Sequence, residues 1–250
     1  MSNGENLQTR AAMIATSKAT IVRAPGWQPI RTFVQYAQRK PVGTFVSRKS
    51  NRVFPWEGYG ERHLMWISEA DTTVERFLAQ PHRLEIRVEG NEKPLYYFPD
   101  LLRRLEDGTT EIIEVKQRDD EIEKDPDYAF KLKKAKRIYA ALEWKFRIVV
   151  AEDELEIDPI LSNADMICAD NFSLIRTRER LAMEEAFQVD GAIPYGKAVE
   201  TIADASGISQ TRATAVLHAM VCTRTAAIDV NKRITRDSAV IKPNKTRGRR

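Results

Sequence analysis

The stretch Leu95–Gln117, LYYFPDLLRRLEDGTTEIIEVKQ, decides the fold. Two apolar, strand-like segments flank a turn at Glu106-Asp107-Gly108, and Asp-Gly between such segments is a strong hairpin signal. Side chains alternate along a strand, so Ile112, Glu114 and Lys116 share one face while Ile113 and Val115 take the other. Glu114 and Lys116 then stand roughly 7 Å apart along the strand. Closing the hairpin brings Asp100, next to Pro99 in the first segment, against them.

Such a gathering of acids needs a physical reason. Two carboxylates about 4 Å apart repel by roughly 4 kcal/mol at an effective dielectric near 20. A hard divalent cation removes that cost, and Mg²⁺ favours one or two carboxylates, several waters and a phosphate oxygen. A bound metal acidifies water and neutralises an attacked phosphate, and Lys116 on the same face is placed to orient that water. The plainer reading is an amphipathic hairpin whose solvated charges make one cross-strand ion pair. A bare Glu-x-Lys does not choose between these, whereas Pro-Asp at hairpin spacing upstream favours the phosphodiesterase centre.

Pro99-Asp100 followed by Glu114-Val115-Lys116 resembles the PD-(D/E)xK nuclease motif. The wider series Gly60-Glu61-Arg62, Val74, Gln80-Pro81, Phe98-Pro99-Asp100 and Glu114-Val115-Lys116 resembles the TnsA family of transposon endonucleases. The similarity continues through Tyr128–Val150 into the C-terminal third, and its nuclease residues are the specific part. The resemblance implies an α/β fold, a restriction-endonuclease-like mixed-sheet core followed by a small winged-helix domain. It implies Asp100 and Glu114 as Mg²⁺ ligands (Mn²⁺ as a substitute), the Val115 carbonyl as a further ligand, Lys116 as the water-positioning group, and Glu61 as the first-helix acid completing the cluster. Some family members carry Gln in place of Glu114, so the number of metals stays open.

The resemblance further implies a bacterial cytoplasmic protein, nucleoid-associated when active, that cuts the 5′ strands at transposon ends in double-stranded DNA. Its expected partners are a DDE-type, TnsB-like transposase subunit for the 3′ strands and an AAA+, TnsC-like regulator. Two other functions compete: a free-standing restriction-type or phage endonuclease, and a non-catalytic DNA-binding scaffold. The intact Asp100, Glu114 and Lys116 argue against the scaffold.

Composition agrees with a globular chain of one or two domains: 250 residues, 42% hydrophobic, 30% charged. No apolar run reaches the length of a membrane span, and the N-terminus lacks a signal-peptide core, so no membrane partner is expected. The two cysteines, Cys168 and Cys222, have no metal-ligand spacing and read as buried thiols of a reducing compartment. The net charge of +4 is unevenly spread. Residues 1–56 hold nine Lys or Arg against one acid, and residues 242–250 hold five more, which leaves residues 57–241 at −9. Basic arms of this kind suit a polyanion, because neutralised phosphates release counterions; a soluble, solvated terminus is the alternative.

The expected organisation is a basic, partly irregular arm over 1–55, a nuclease domain over 56–160, a winged-helix-like domain over 161–241 and a basic tail over 242–250. Residues 1–25 show no periodicity, and the aromatics Phe33, Tyr36, Phe45 and Phe54 leave open whether the arm lies on DNA or packs on the core. A helix is expected from about Glu57 to Ala70, with Glu57 and Glu69 as rivals of Glu61. Strands follow at 74–79 and 84–88. A helix over 128–142, started by Asp125-Pro126-Asp127, turns Leu132, Ala135, Ile138 and Tyr139 inward and leaves Lys131 and Lys134 on a cationic face that suits a DNA backbone or is simply solvated. Phe146–Val150 reads as a buried strand. Beyond residue 160, helices are expected at 178–187, 195–205 and 209–221, then two strands at 226–230 and 234–241. On a DNA reading Gln210 and Arg212 face the groove or phosphates; on the alternative this module docks a protein. His63, His82 and His218 read as packing or surface residues.

Overall fold

The computed structural model describes residues 13–15, 18–31 and 40–243. Phe33, Tyr36 and most of the basic tail lie outside the described residues. The chain opens with β1 (Met13–Ala15) and β2 (Ala19–Val22), then the hairpin β3 (Val42–Ser47) and β4 (Arg52–Glu57). Helix α1 (Tyr59–Ala70) leads to strands β5 (Val74–Ala79), β6 (Arg83–Ile86), β7 (Leu95–Tyr97), β8 (Leu101–Leu105) and β9 (Thr110–Lys116). Helices α2 (Asp120–Glu123) and α3 (Pro126–Ala141) precede β10 (Lys145–Val150), and α4 (Ile160–Ala169) and α5 (Thr177–Asp190) follow it. The chain then forms β11 (Ala192–Pro194), α6 (Tyr195–Ser206), α7 (Gln210–Cys222), β12 (Ala227–Ile228) and β13 (Ala239–Ile241).

The central sheet runs β10-β9-β8-β5. β5, β8 and β9 are antiparallel neighbours, whereas β10 lies parallel to β9. A parallel neighbour needs a crossover, and α3 supplies it. The β8–β9 turn forms as its residues require. Gly108 takes φ +87°, Asp107 Oδ1 accepts the Thr109 N–H at 2.8 Å, and Leu101 then faces Ile113 across the pair. Alternation sends Ile113 and Val115 into the apolar layer under α1, and Ile112 into the layer with Leu132, Ala135 and Tyr139 of α3. Helix, three strands, helix, strand is thus the observed mixed α/β core.

Several expectations are corrected. The Leu95–Leu105 segment is two strands in different sheets: β7 ends the sheet β1-β2-β6-β7, and β8 joins the central one. Pro99, which has no N–H to donate, sits in the break. Part of the N-terminal arm is ordered, since β2 pairs with β6 from Ala19↔Ile86 to Val22↔Arg83. The β3–β4 hairpin packs on the core, with Phe54 fully buried 5.3 Å from the Phe77 ring. Glu57 ends β4, and α1 begins only after Gly58, whose φ of +91° breaks the strand. Edge strand β10 is mostly half-exposed, with Val149 its buried residue.

Past residue 160, the unexpected α4 packs its buried Ala164 and Ile167 in the same cluster as Ala70 of α1 and Val216 of α7. Helices α5, α6 and α7 and the small sheet β11-β13-β12 complete this part. Its strands are shorter than expected, and β11 is an additional one. Gly207 at φ +61° ends α6, and Ser209 caps α7 by accepting the Arg212 N–H. Arg224 ties this region to the hairpin turn, donating to the Thr72 carbonyl at 2.8 Å and Glu106 at 3.1 Å.

Candidate active site

Asp100 is held from both ends. Its carbonyl accepts the Gln80 N–H at 2.8 Å, and its Oδ2 accepts the Val115 N–H at 2.7 Å. A side chain just before β8 is thereby fixed against the middle residue of Glu114-Val115-Lys116. Gly60 of α1 approaches the same residue so closely that a Cβ there would stand 2.9 Å from Val115 Cγ1. The absence of a side chain lets α1 bring Glu61 to the site, where its Oε2 accepts the Glu57 N–H at 3.1 Å.

Glu114 is 3% exposed and accepts three hydrogen bonds. Tyr97 gives its hydroxyl to Oε2 at 2.7 Å; Lys116 Nζ donates to Oε1 at 2.8 Å, and the Tyr128 hydroxyl donates to the same oxygen. Lys116 Nζ also reaches the Tyr128 hydroxyl at 3.2 Å and lies 4.4 Å from its ring centre. Burial opposes the charge on Lys116, but Glu114 and Asp100 more than offset it and hold its amine above the ordinary lysine range. The two tyrosines are pushed up by burial and by Glu114, and so stay protonated donors.

The other two acids have no such compensation. Burial, then the charges of Glu114 and Glu61, push Asp100 well above the carboxylate range. Burial, then Glu57 and Glu114, raise Glu61 to about 7 against the pull of the Glu57 N–H. Partly buried acids that repel one another are the electrostatic signature of a functional site.

Two further signs bear on a metal. Among the described residues no group of three His, Cys, Asp or Glu stands ready to hold an ion, and no hydrogen bond reaches Asp100 Oδ1. Glu114 Oε2 has a single donor. The donor set therefore fits Mg²⁺, which takes one or two carboxylates and fills the rest with water and phosphate, and does not fit an all-protein cage.

Residues 71–151 match the family model described as TnsA-like endonuclease N terminal. That segment is similar to the N-terminal domain of TnsA-like endonucleases. Within the matched TnsA-like segment lie Asp100, Glu114, Val115, Lys116, Lys131 and Lys134, while Glu61, Gln210 and Arg212 fall outside it. No curated protein matches the chain.

The remaining expected residues divide by place. Lys131 stands beside the candidate site, its ammonium 5.7 Å from the Tyr128 ring. Lys134 leans on Phe130 at 5.1 Å and lines a cavity of about 500 Å³ with Arg87 and Arg137; that cavity contains none of the acids. Gln210 and Arg212 sit on the exposed first turn of α7, far along the chain in the helical region. Glu69 is not a site residue: it is buried and accepts Ser47 Oγ at 2.6 Å and the Arg48 and Lys49 N–H groups at 2.9 Å, closing the β3–β4 turn. The three histidines also have structural partners, His82 on Tyr139 at 2.7 Å, His63 on Glu156 at 3.3 Å and His218 between Asp170 and Tyr195. Sequence reasoning missed Tyr97 and Tyr128. The one available signal was Tyr128's place in the first turn after Asp125-Pro126-Asp127.

Proposed function

We propose that the protein is a Mg²⁺-dependent DNA endonuclease that hydrolyses the 5′ strands at transposon ends as one subunit of a heteromeric transposase. The observation that carries this reading is the convergence of Asp100, Glu114 and Lys116 at one end of the matched sheet. Asp100 and Glu114 hold the ion, with the Val115 carbonyl as a further ligand and Glu61 behind them. When bound, Mg²⁺ supplies charge for the attacked phosphate and lowers the pKa of water. Lys116 positions the attacking water by donating a hydrogen bond to it, and Asp100 keeps its place through the Val115 N–H. Mn²⁺ substitutes for Mg²⁺.

The helical region serves as the DNA- or partner-facing module; its helices and small three-stranded sheet support a winged-helix-like reading. Gln210 and Arg212 offer it a polar turn for phosphates, and Lys131 and Lys134 extend the contact from α3. A DDE-type transposase and an AAA+ regulator complete the machine, acting on double-stranded DNA in the bacterial cytoplasm. Among the described residues no helix is long and apolar enough to cross a membrane.

The test is cleavage of supercoiled and transposon-end DNA in Mg²⁺ or Mn²⁺, with and without the transposase subunit, for wild type and Asp100→Ala. The expected result is Asp100-dependent 5′-strand cutting that requires the partner. Specific cutting by the protein alone would instead establish a restriction-type enzyme, and no cutting in any mixture a DNA-binding scaffold.

A further inference from the structure

We infer that Tyr128 is a positioning residue that competes with a divalent cation for Glu114 and ties Lys116 to that carboxylate; the inference rests on the metal-centre reading above. An ionised carboxylate offers about four lone-pair sites, two on each oxygen. On Glu114 Oε1 both are taken, by Lys116 Nζ and by the Tyr128 hydroxyl, whereas Oε2 has the Tyr97 hydroxyl alone. A cation that uses Oε1 must displace one of those two donors. Lys116 is tied from the other side. Two of its three N–H donors go to Glu114 and to the Tyr128 oxygen, which leaves one for a water or a phosphate and fixes where that one points.

The two phenols are not equivalent. Tyr97 is 2% exposed, fixed by β7 and by the apolar layer around Leu102 and Ile112. It remains on Oε2 as the donor that orients the carboxylate, as groups behind a metal ligand commonly do. Tyr128 is half-exposed on the first turn of α3, between the Lys116 and Lys131 ammonium groups at 4.4 and 5.7 Å from its ring. A change of its rotamer frees Oε1 and Lys116 together. Lys131, the cation next to it on the helix, is the group through which a DNA phosphate would draw on this latch.

Calorimetric titration of the full chain with Mn²⁺ tests the assignment, comparing wild type, Tyr128→Phe, Tyr97→Phe and Asp100→Ala. Removing the competing hydroxyl in Tyr128→Phe tightens Mn²⁺ binding about ten-fold. Removing the orienting hydroxyl in Tyr97→Phe weakens it about ten-fold. Asp100-dependent binding in wild type that Tyr128→Phe leaves unchanged or weakens overturns the competing role and leaves the metal centre standing. Absence of Asp100-dependent binding in every variant overturns the metal centre and this inference with it. Should Tyr128→Phe lose its near-ultraviolet circular dichroism, Tyr128→Leu removes the same hydroxyl with a good helix former, and there too tighter binding supports the inference and unchanged or weaker binding overturns it.

Discussion

Two regions of the molecule bury ionisable groups in opposite ways. In the helical region the buried Glu179 and His218 are closed by hydrogen-bond partners. Glu179, 1% exposed, accepts the Arg176 N–H and Ser206 Oγ, both at 2.7 Å, and His218 sits between Asp170 at 2.7 Å and Tyr195 at 2.8 Å. At the end of the central sheet Glu114 has three donors, yet Asp100 stays destabilised as an anion by burial, Glu114 and Glu61, and Glu61 by burial, Glu57 and Glu114. Buried polar groups that close on themselves specify a fold. Those left in conflict, at the edge of a segment similar to TnsA-like endonucleases, point to a ligand that resolves the conflict.

The contrast can be broken most severely at Asp100. Asp100→Ala should lower DNA cleavage by at least about 10³-fold while changing the melting temperature little, since relief of a buried, crowded acid offsets the loss of the Val115 N–H acceptor. Leu217→Ala, in the fully buried face of α7, should do the reverse. A loss of about 2–5 kcal/mol, read from urea unfolding, is expected with cleavage per folded molecule retained.

A smaller effect sharpens the comparison through pH. Glu61 binds its proton more tightly in the folded chain, with a pKa of about 7 against 4.5, so its contribution to stability is present at low pH and is lost as pH rises through 7. Between pH 8 and pH 5 the melting temperature without added metal should rise by several degrees, and Glu61→Gln should flatten that rise. The smallest effect belongs to the exposed turn of α7. Arg212→Ala should leave stability unchanged and reduce the salt slope of DNA binding by about one, measured by fluorescence anisotropy.

Legibility in the sequence follows the range of the interactions involved. The β8–β9 hairpin, the faces of β9 and the α3 cap are local, fixed by Asp107-Gly108, by alternation and by Asp125, whose side chain accepts the Tyr128 N–H at 2.9 Å. Asp100, Glu114 and Lys116 were legible for the same reason: one hairpin brings them together. Tyr97 and Tyr128 meet Glu114 across 17 and 14 residues from separate elements, and an aromatic in a strand or helix reads as packing. The onset of α1 was misplaced because Gly58 sits between two acids that both suit a helix, and its positive φ is visible only in the backbone. Helix α4 was missed although Ile160, Ala164 and Ile167 repeat at helical spacing, because the acidic run up to Asp158 and then Pro159 reads as a boundary. The apolar text of β10 suggested burial, but its place at the sheet edge is set by the crossover through α3.

The central claim is that Asp100 and Glu114 jointly hold a divalent cation. Anomalous diffraction from crystals of the protein grown in Mn²⁺ tests it most directly. The account predicts a peak within bonding distance of an oxygen of each carboxylate, lost in Asp100→Ala. A Mn²⁺ peak elsewhere, with Glu114 still bound to Lys116 and Tyr128 and no density beside Asp100, would contradict it.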